Sequence, residues 1–232
     1  MKIKHGMILA AGKGKRLQPL TTKIPKPLLK INGKTLLERA INLLIDNGVS
    51  EICVNIHHLG DQIENYILNF KSKANISISN ERNTLLDTGG GVQKGTKKFG
   101  NNPFFIINPD TLWNSRYSKE INFLEKEFLS EKKPCMLLVK KDLSFDSSFR
   151  GDFNLKGKLV SKDESNQYIY TGLQIIKRDN FAFMDKDIFS MNDVWKKLID
   201  ENNLCGVESN EKFYHLNTLE MFKKIASISS ID

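Results

Sequence analysis

The chain opens with a short apolar run, Met7-Ile8-Leu9-Ala10-Ala11, which leads directly into the basic stretch Gly12-Lys13-Gly14-Lys15-Arg16-Leu17. The apolar run predicts a buried first strand, and open α/β sheets bind their ligands at the carboxyl ends of strands. The two glycines allow a bound group to approach the backbone closely and leave N–H donors facing it. Because Lys26 adds a further positive charge soon after, we expect a polyphosphate ligand here.

This glycine loop differs from two common phosphate-binding motifs. A Walker A loop requires Gly-Lys-Ser/Thr after four intervening residues, and that pattern does not follow Gly12. The dinucleotide-binding fingerprint requires a third glycine at the position that Leu17 occupies. The loop therefore indicates a phosphate site of another type.

Strand and helix patterns alternate over the first 140 residues, which predicts a mainly parallel sheet covered on both faces. Three glycines at 89–91 precede the helical pattern at 92–99. Such conformational freedom at the start of a helix indicates that another group, such as a ligand, comes close to its first turn. After Phe145 the pattern becomes antiparallel. We predict one α/β domain over residues 1–232, with a Rossmann-like mixed sheet and a small antiparallel lobe. The segments expected to form regular structure are the helices 35–47, 60–70, 92–99, 119–129 and 191–202 and one from Thr218, and the strands 51–56, 75–79, 104–107, 135–140 and 168–176, with short strands near Gly206 and Phe213.

Composition narrows the class of protein. The sequence has no run of eighteen apolar residues and no signal-peptide pattern, so we expect a cytoplasmic protein without a membrane span. The three cysteines are far apart, which favours reduced thiols. The formal net charge of +8 raises the alternative of a nucleic-acid partner. The basic residues are scattered and lack interleaved aromatics, so we expect no such partner and assign the charge to phosphorylated small substrates.

Asp110 ends the most apolar strand pattern, where the ligand crevice of an open sheet is expected. A carboxylate there suits Mg²⁺, which usually takes one or two protein carboxylates when it also binds phosphates. The alternative is that Asp110 caps the following segment. The basic glycine loop, expected at the neighbouring strand end, favours the metal interpretation.

Two segments carry a family resemblance. The stretch from Leu9 to Leu17, followed by Pro25-Lys26-Pro27-Leu28, resembles the two-part signature of the sugar-1-phosphate nucleotidyltransferases. The segment Asn108-Pro109-Asp110 is similar to the Asn-Gly-Asp of that family, with proline in the middle position. The resemblance implies the nucleotide-diphospho-sugar transferase fold, with a nucleotide-binding part at about 1–141 and a sugar-binding part with C-terminal helices at about 142–232.

The resemblance also implies roles for individual residues. The catalytic residues would be Arg16, Lys26 and Asp110. The nucleotide-binding residues would be Leu9, Ala10, Ala11, Gly12, Lys13, Gly14, Glu81, Gly89 and Gly90. The sugar-binding residues would be Asn108, Gly151, Asp152, Thr171 and Gly172, although Gly-Asp and Thr-Gly are also ordinary turn pairs.

The metal site departs from the family pattern. Many members have Trp-x-Asp-x-Gly-Thr near the C-terminus, and its aspartate is the second metal ligand. The similar stretch here is Phe213-Tyr214-His215-Leu216-Asn217-Thr218, so His215 takes the place of that aspartate. Imidazole suits Mn²⁺ better than Mg²⁺. Four outcomes stay open: metal held by Asp110 and phosphates alone, a preference for Mn²⁺, lost activity, or a structural His215.

The resemblance implies an enzyme that transfers a nucleotidyl group from a nucleoside triphosphate to a sugar 1-phosphate. The segments 86–91 and 150–153 are most similar to the N-acetylmuramate-1-phosphate uridylyltransferases of peptidoglycan recycling, which favours UTP and N-acetylmuramate 1-phosphate. Guanylyltransferases acting on mannose or heptose 1-phosphate remain an alternative. A non-catalytic sugar-nucleotide sensor is a second one, motivated by His215 and Pro109. The chain is expected to be a monomer or a homodimer.

Overall fold

The computed structural model describes residues 2–228. The strands of this part are β1 (His5–Leu9), β2 (Lys30–Ile31), β3 (Lys34–Thr35), β4 (Glu51–Ile56), β5 (Asn75–Asn80), β6 (Phe104–Ile107), β7 (Cys135–Lys140), β8 (Asn154–Lys156), β9 (Leu159–Ser161), β10 (Tyr168–Ile176) and β11 (Cys205–Ser209). The α-helices are α1 (Leu36–Asp46), α2 (Gly60–Asn69), α3 (Asp87–Gly95), α4 (Tyr117–Glu131), α5 (Met191–Asp200) and α6 (Leu219–Ala226). None of these helices is long and apolar enough to cross a membrane.

The central sheet confirms the predicted fold class. Within residues 2–228 it has nine strands in the order β5-β4-β1-β6-β10-β7-β11-β9-β8. The pairs β5–β4, β4–β1, β1–β6 and β7–β11 are parallel, whereas β10 is antiparallel to both β6 and β7. Strands β8 and β9 form a hairpin that joins the edge of the same sheet. The predicted antiparallel lobe is thus continuous with the parallel part.

Helices cover both faces of the sheet, as the alternating pattern predicts. Apolar residues of α1, α2 and α4 pack with β1, β4 and β6 in one core cluster. Residues of α3 and α5 pack on the opposite face in a second cluster. Helix α6 lies over the segment that follows β1, where Met221 and Ile225 contact the cluster of Leu17, Leu29 and Leu36. That contact fixes the position of the basic glycine loop.

Two element boundaries differ from the sequence prediction in ways that affect the site. Strand β1 ends at Leu9, because the Ala10 N–H donates to the Oδ1 atom of Asn55 (2.7 Å) instead of continuing the ladder. Helix α3 begins at Asp87 and not after the glycines, so residues 89–91 lie inside the helix and are buried. Glycine has low helix propensity, and the contacts described below explain why it stands there.

Candidate active site

A cavity of about 410 Å³ lies at the carboxyl ends of β1 and β6. These two strands are adjacent and parallel, so the loops that follow them meet at one edge of the sheet. Arg16, Lys26 and Asp110, the three predicted catalytic residues, all line this cavity. Among the predicted nucleotide-binding residues, the lining includes Leu9, Ala10, Ala11, Gly12, Lys13 and Gly14.

The glycine loop has a preset shape. Gly14 has a φ of +59°, which favours glycine, and its carbonyl accepts from the Leu17 N–H and the Thr21 hydroxyl, both at 2.9 Å. Gly12 has open space where a Cβ would stand. The side chains of Lys13, Lys15 and Arg16 form no ion pair with the residues that the structure describes, so their charge is available to an anion.

The Asp110 carboxylate lies between the Lys26 ammonium and the His215 imidazole. The Nζ atom of Lys26 donates to its Oδ2 at 2.6 Å, and the Nε2 atom of His215 lies 3.2 Å from the same oxygen. Burial alone would raise the pKa of Asp110, but Lys26 and His215 outweigh that effect and hold the pKa well below its usual range. Asp110 is therefore ionised at neutral pH and beside the cavity.

His215 is held by the chain around Asp110. Residue 215 forms an antiparallel bridge with Thr111, and the Leu216 N–H donates to the Asp110 carbonyl (2.8 Å). The imidazole stacks on the Phe149 ring, with centroids 5.5 Å apart. Its Nε2 atom faces Asp110, and His215 is not among the residues that line the cavity. Its predicted metal role stays a prediction.

Glu81, predicted to bind the nucleotide, lies beneath the cavity. It is 1% exposed, and its carboxylate accepts from the Asn55 Nδ2 atom (2.8 Å) and the Leu86 N–H (3.1 Å). Asn55 in turn accepts from the Ala10 N–H, as described above. Glu81 thus orients the loop after β1 through Asn55, a residue that the sequence did not single out. The only signal for Asn55 is a polar residue near the end of a buried strand.

Gly89 and Gly90 also lie behind the cavity wall. A Cβ on Gly89 would stand 2.4 Å from the Phe189 ring, and one on Gly90 would stand 2.0 Å from the Asp187 carbonyl oxygen. The glycines therefore allow α3 to pack against residues 187–189. Their neighbours Asp87 and Thr88 reach the cavity instead.

A second cavity of about 310 Å³ adjoins the first, and Asn108, Asp87 and Thr88 line both. Tyr170, Gln174 and Trp195 line the second cavity. Trp195 donates its indole N–H to the Gln174 Oε1 atom (2.9 Å), which orients the amide. The Gln174 Nε2 and Tyr170 Oη atoms are buried without a hydrogen-bond partner in the described part of the chain. Both are potential donors to a bound molecule.

The structure separates the predicted sugar-binding residues. Asn108 lines both cavities, whereas the Thr171 hydroxyl is buried and donates to the Leu137 carbonyl (2.9 Å), away from either cavity. Gly172, at a φ of +91°, packs against Asn108 and its carbonyl accepts from the Asn108 N–H (2.8 Å). Gly151 packs against the Asn166 backbone. Asp152 accepts from the Tyr170 N–H (3.0 Å), and burial raises its pKa. These residues support Asn108 and Tyr170.

A basic glycine loop, a carboxylate and a lysine at the switch point of a mixed α/β sheet are features of a nucleotide-binding transferase. The chain belongs to the nucleotidyl transferase family, whose model matches residues 5–140. It is 30% identical over 221 residues to the N-acetylmuramate alpha-1-phosphate uridylyltransferase of Caulobacter vibrioides, covering 92% of this chain and 91% of that protein. It is also 40% identical over 107 residues to the enzyme of that name from Neisseria meningitidis serogroup B, covering 46% of each chain.

The fold is shared with a solved structure of UDP-glucose pyrophosphorylase complexed with UDP-glucose. The TM-score is 0.78 at 17% identity, and the match covers 97% of each chain. Family and fold together establish this chain as a sugar-1-phosphate nucleotidyltransferase.

Enzymes of this family typically depend on a divalent metal ion. The cavity fits such an ion, because Asp110 Oδ1 and Asn217 Oδ1 are buried oxygens without a hydrogen-bond partner among residues 2–228. No cluster of three or more His, Cys, Asp or Glu side chains suited to a metal occurs in that part of the chain.

Proposed function

We propose that this enzyme transfers the uridylyl group of UTP to N-acetylmuramate 1-phosphate, giving the UDP-sugar and pyrophosphate. The observation that carries the transfer chemistry is that Arg16, Lys26 and Asp110 line a single cavity. The preference for this substrate pair is supported by the identity to the Caulobacter relative over nearly the full length of both chains. A role in peptidoglycan recycling in the cytoplasm follows from the same proposal.

The reaction is an in-line displacement. An oxygen of the sugar phosphate attacks the α-phosphorus of UTP, and the bond to the bridging oxygen breaks as pyrophosphate leaves. A phosphate monoester is already a competent nucleophile at neutral pH, so the chain needs no general base. Its residues have to align the two substrates and neutralise their charge.

The residues that line the first cavity have separate tasks in this reaction. The N–H groups of Gly12 and Gly14, with Arg16, hold the β- and γ-phosphates of the nucleotide. Lys26 stands between the α-phosphate and the incoming sugar phosphate, where its ammonium opposes the repulsion between the two anions. Asp110 would hold Mg²⁺, whose positive charge would stabilise the negative charge on the phosphate oxygens in the transition state.

The second cavity is the proposed sugar site. Asn108 lies between the two cavities and can contact both substrates. The Tyr170 Oη and Gln174 Nε2 atoms are donors without partners in the described structure, and burial raises the pKa of Tyr170, so its hydroxyl keeps its proton. Two such donors suit a sugar with acceptor substituents, such as an acetamido carbonyl or a lactyl carboxylate.

A pyrophosphate-release assay tests this proposal. UTP, GTP, CTP and dTTP are each combined with N-acetylmuramate, N-acetylglucosamine, glucose and mannose 1-phosphates, with Mg²⁺ or Mn²⁺. We expect the highest kcat/KM for UTP with N-acetylmuramate 1-phosphate and Mg²⁺. A preference for GTP with mannose 1-phosphate would assign the chain to the guanylyltransferases. No turnover with any combination would favour a sensor of sugar nucleotides.

A further inference from the structure

Asn217 lies on the wall of the first cavity, far along the chain from the glycine loop and from Asp110. Its Oδ1 atom is buried and has no hydrogen-bond partner among residues 2–228. The same is true of Asp110 Oδ1. A buried oxygen without a partner is costly unless a bound group satisfies it. Because Asn217 and Asp110 line the same cavity, a cation bound there would supply the partner that both oxygens lack.

The orientation of the Asn217 amide is fixed by its neighbour. Its Nδ2 atom donates to the Asp146 Oδ2 atom (3.1 Å), and a carboxylate oxygen accepts hydrogen bonds. Asp146 is itself anchored, because its Oδ1 accepts from the Ser148 N–H (3.0 Å) and hydroxyl (2.6 Å). The amide nitrogen is therefore committed to Asp146, and the oxygen is the atom left for a ligand.

His215 has different surroundings, although it stands where the family pattern has an aspartate. Its Nε2 atom faces the Asp110 Oδ2 atom, the oxygen that Lys26 already contacts at 2.6 Å. Its ring is packed between Phe149 and Phe213. The contacts of Lys26 and His215 both fall on Oδ2, and Oδ1 is the carboxylate oxygen without a partner.

We propose that Asn217 supplies the second protein oxygen to the divalent cation, and that His215 is a positioning residue for Asp110. This inference rests on the part of the proposed function that puts a divalent cation at Asp110, but not on the identity of the base or the sugar. It assigns the ligand role to a position two residues after the one that the family pattern indicates. Two oxygen ligands also favour Mg²⁺ over ions that prefer nitrogen.

The test is a titration of Mn²⁺ followed by electron paramagnetic resonance, with saturating UTP and no sugar phosphate. A parallel titration uses GTP, so that the result does not depend on the base. We expect Asn217→Ala to weaken Mn²⁺ binding about tenfold or more, and Asn217→Asp to bind it at least as tightly as the unmodified chain. His215→Ala should bind Mn²⁺ within about threefold. Asn210→Ala, outside the cavity, is the matched control.

Other outcomes separate this inference from the proposed function. If Asp110→Asn loses Mn²⁺ and Asn217→Ala keeps it, the role of Asn217 is wrong and the metal site stands. Loss of Mn²⁺ in His215→Ala but not in Asn217→Ala would make His215 the ligand. Both proposals fail if Asp110→Asn keeps full affinity for Mn²⁺. They also fail if the unmodified chain does not bind Mn²⁺ in the presence of UTP or of GTP. Should Asn217→Ala not fold, a loss of Mn²⁺ in folded Asn217→Asp would overturn the assignment.

Discussion

Lys26 and Asp110 are 84 positions apart in the sequence, yet their side chains form a 2.6 Å ion pair at the edge of the sheet. Both side chains are mostly buried, with 14% and 23% of their surface exposed. The pair lies on the cavity wall beside the glycine loop. It therefore puts a positive and a negative group within reach of one bound triphosphate.

Replacement of either member should abolish most of the activity. We expect Lys26→Ala and Asp110→Ala each to reduce kcat by about 10²-fold or more, because the first removes a positive charge beside the reacting phosphates and the second removes the carboxylate that would hold the cation. Lys30→Ala, an exposed lysine on β2, is the control and should keep normal activity. Pyrophosphate release gives the rates and circular dichroism checks the fold. Normal turnover in either variant would contradict the assigned role.

The ionisation of Asp110 gives a prediction about pH. Its pKa in the folded chain lies below the ordinary value of 3.8, so the ionised group stabilises the fold above about pH 3.8, and that stabilisation is lost only as the pH falls further. A ¹³C NMR titration of the Asp110 carboxyl carbon should show no transition between pH 7 and pH 4. Lys26→Met should raise the pKa. A midpoint at or above 3.8 in the unmodified chain would refute this.

The charged residues of the site can be predicted from sequence patterns, whereas its asparagine and glutamine side chains cannot. Lys26 and Asp110 are predictable because Lys26 stands in a recognisable Pro-Lys-Pro motif and Asp110 follows the end of the buried strand β6. Asn217 is not, since the family pattern directs attention to His215 in the same segment. The side-chain amides of Asn55 and Gln174 are oriented by hydrogen bonds to residues far along the chain, Glu81 and Trp195. The local sequence does not indicate these partners.

At the scale of elements, periodicity predicted β4, β7 and β10 with the bounds observed, because buried strands and amphipathic helices carry strong patterns. The predicted start of helix α3 at residue 92 is wrong, because a triple glycine has no hydrophobic pattern and low helix propensity. Its glycines are explained by tertiary packing against residues 187–189. The joining of β8 and β9 to the main sheet is likewise not predictable, because strand order depends on contacts between residues far apart in the sequence.

Two glycines should respond differently to alanine. A Cβ added to Gly12 would have nothing within 4 Å, so Gly12→Ala should keep its thermal stability and lose nucleotide affinity about tenfold, since the methyl group enters the phosphate site. Gly90→Ala should lose about 1–3 kcal/mol of unfolding free energy, because its Cβ meets the Asp187 carbonyl. Urea unfolding and calorimetric titration with UTP measure these effects. Unchanged nucleotide affinity in Gly12→Ala would contradict the phosphate-binding role of the loop.

At the scale of the whole molecule, the net charge of +8 is spread over the surface, while the cavity gathers Lys13, Lys15, Arg16 and Lys26. This distribution suits a small polyanion that is bound at one place. It also agrees with the position of the first cavity at the switch point of the sheet, between the adjacent parallel strands β1 and β6.

The same distribution predicts weak binding to nucleic acids. A labelled RNA or DNA of about 20 nucleotides should associate only at low salt and dissociate at about 150 mM, as expected for contacts through scattered lysines. Fluorescence anisotropy over a salt series measures this. Submicromolar binding at about 150 mM salt would contradict the assignment of the charge to small phosphorylated substrates.

The central claim is that the glycine loop, Lys26 and Asp110 bind one metal–triphosphate. A crystal structure with Mn²⁺ and UTP, using the anomalous signal of manganese, tests it most directly. We predict a manganese peak bonded to Asp110, with the triphosphate lying along residues 12–16 and in contact with Lys26. A peak elsewhere, or a triphosphate that touches neither Arg16 nor Lys26, would contradict the account.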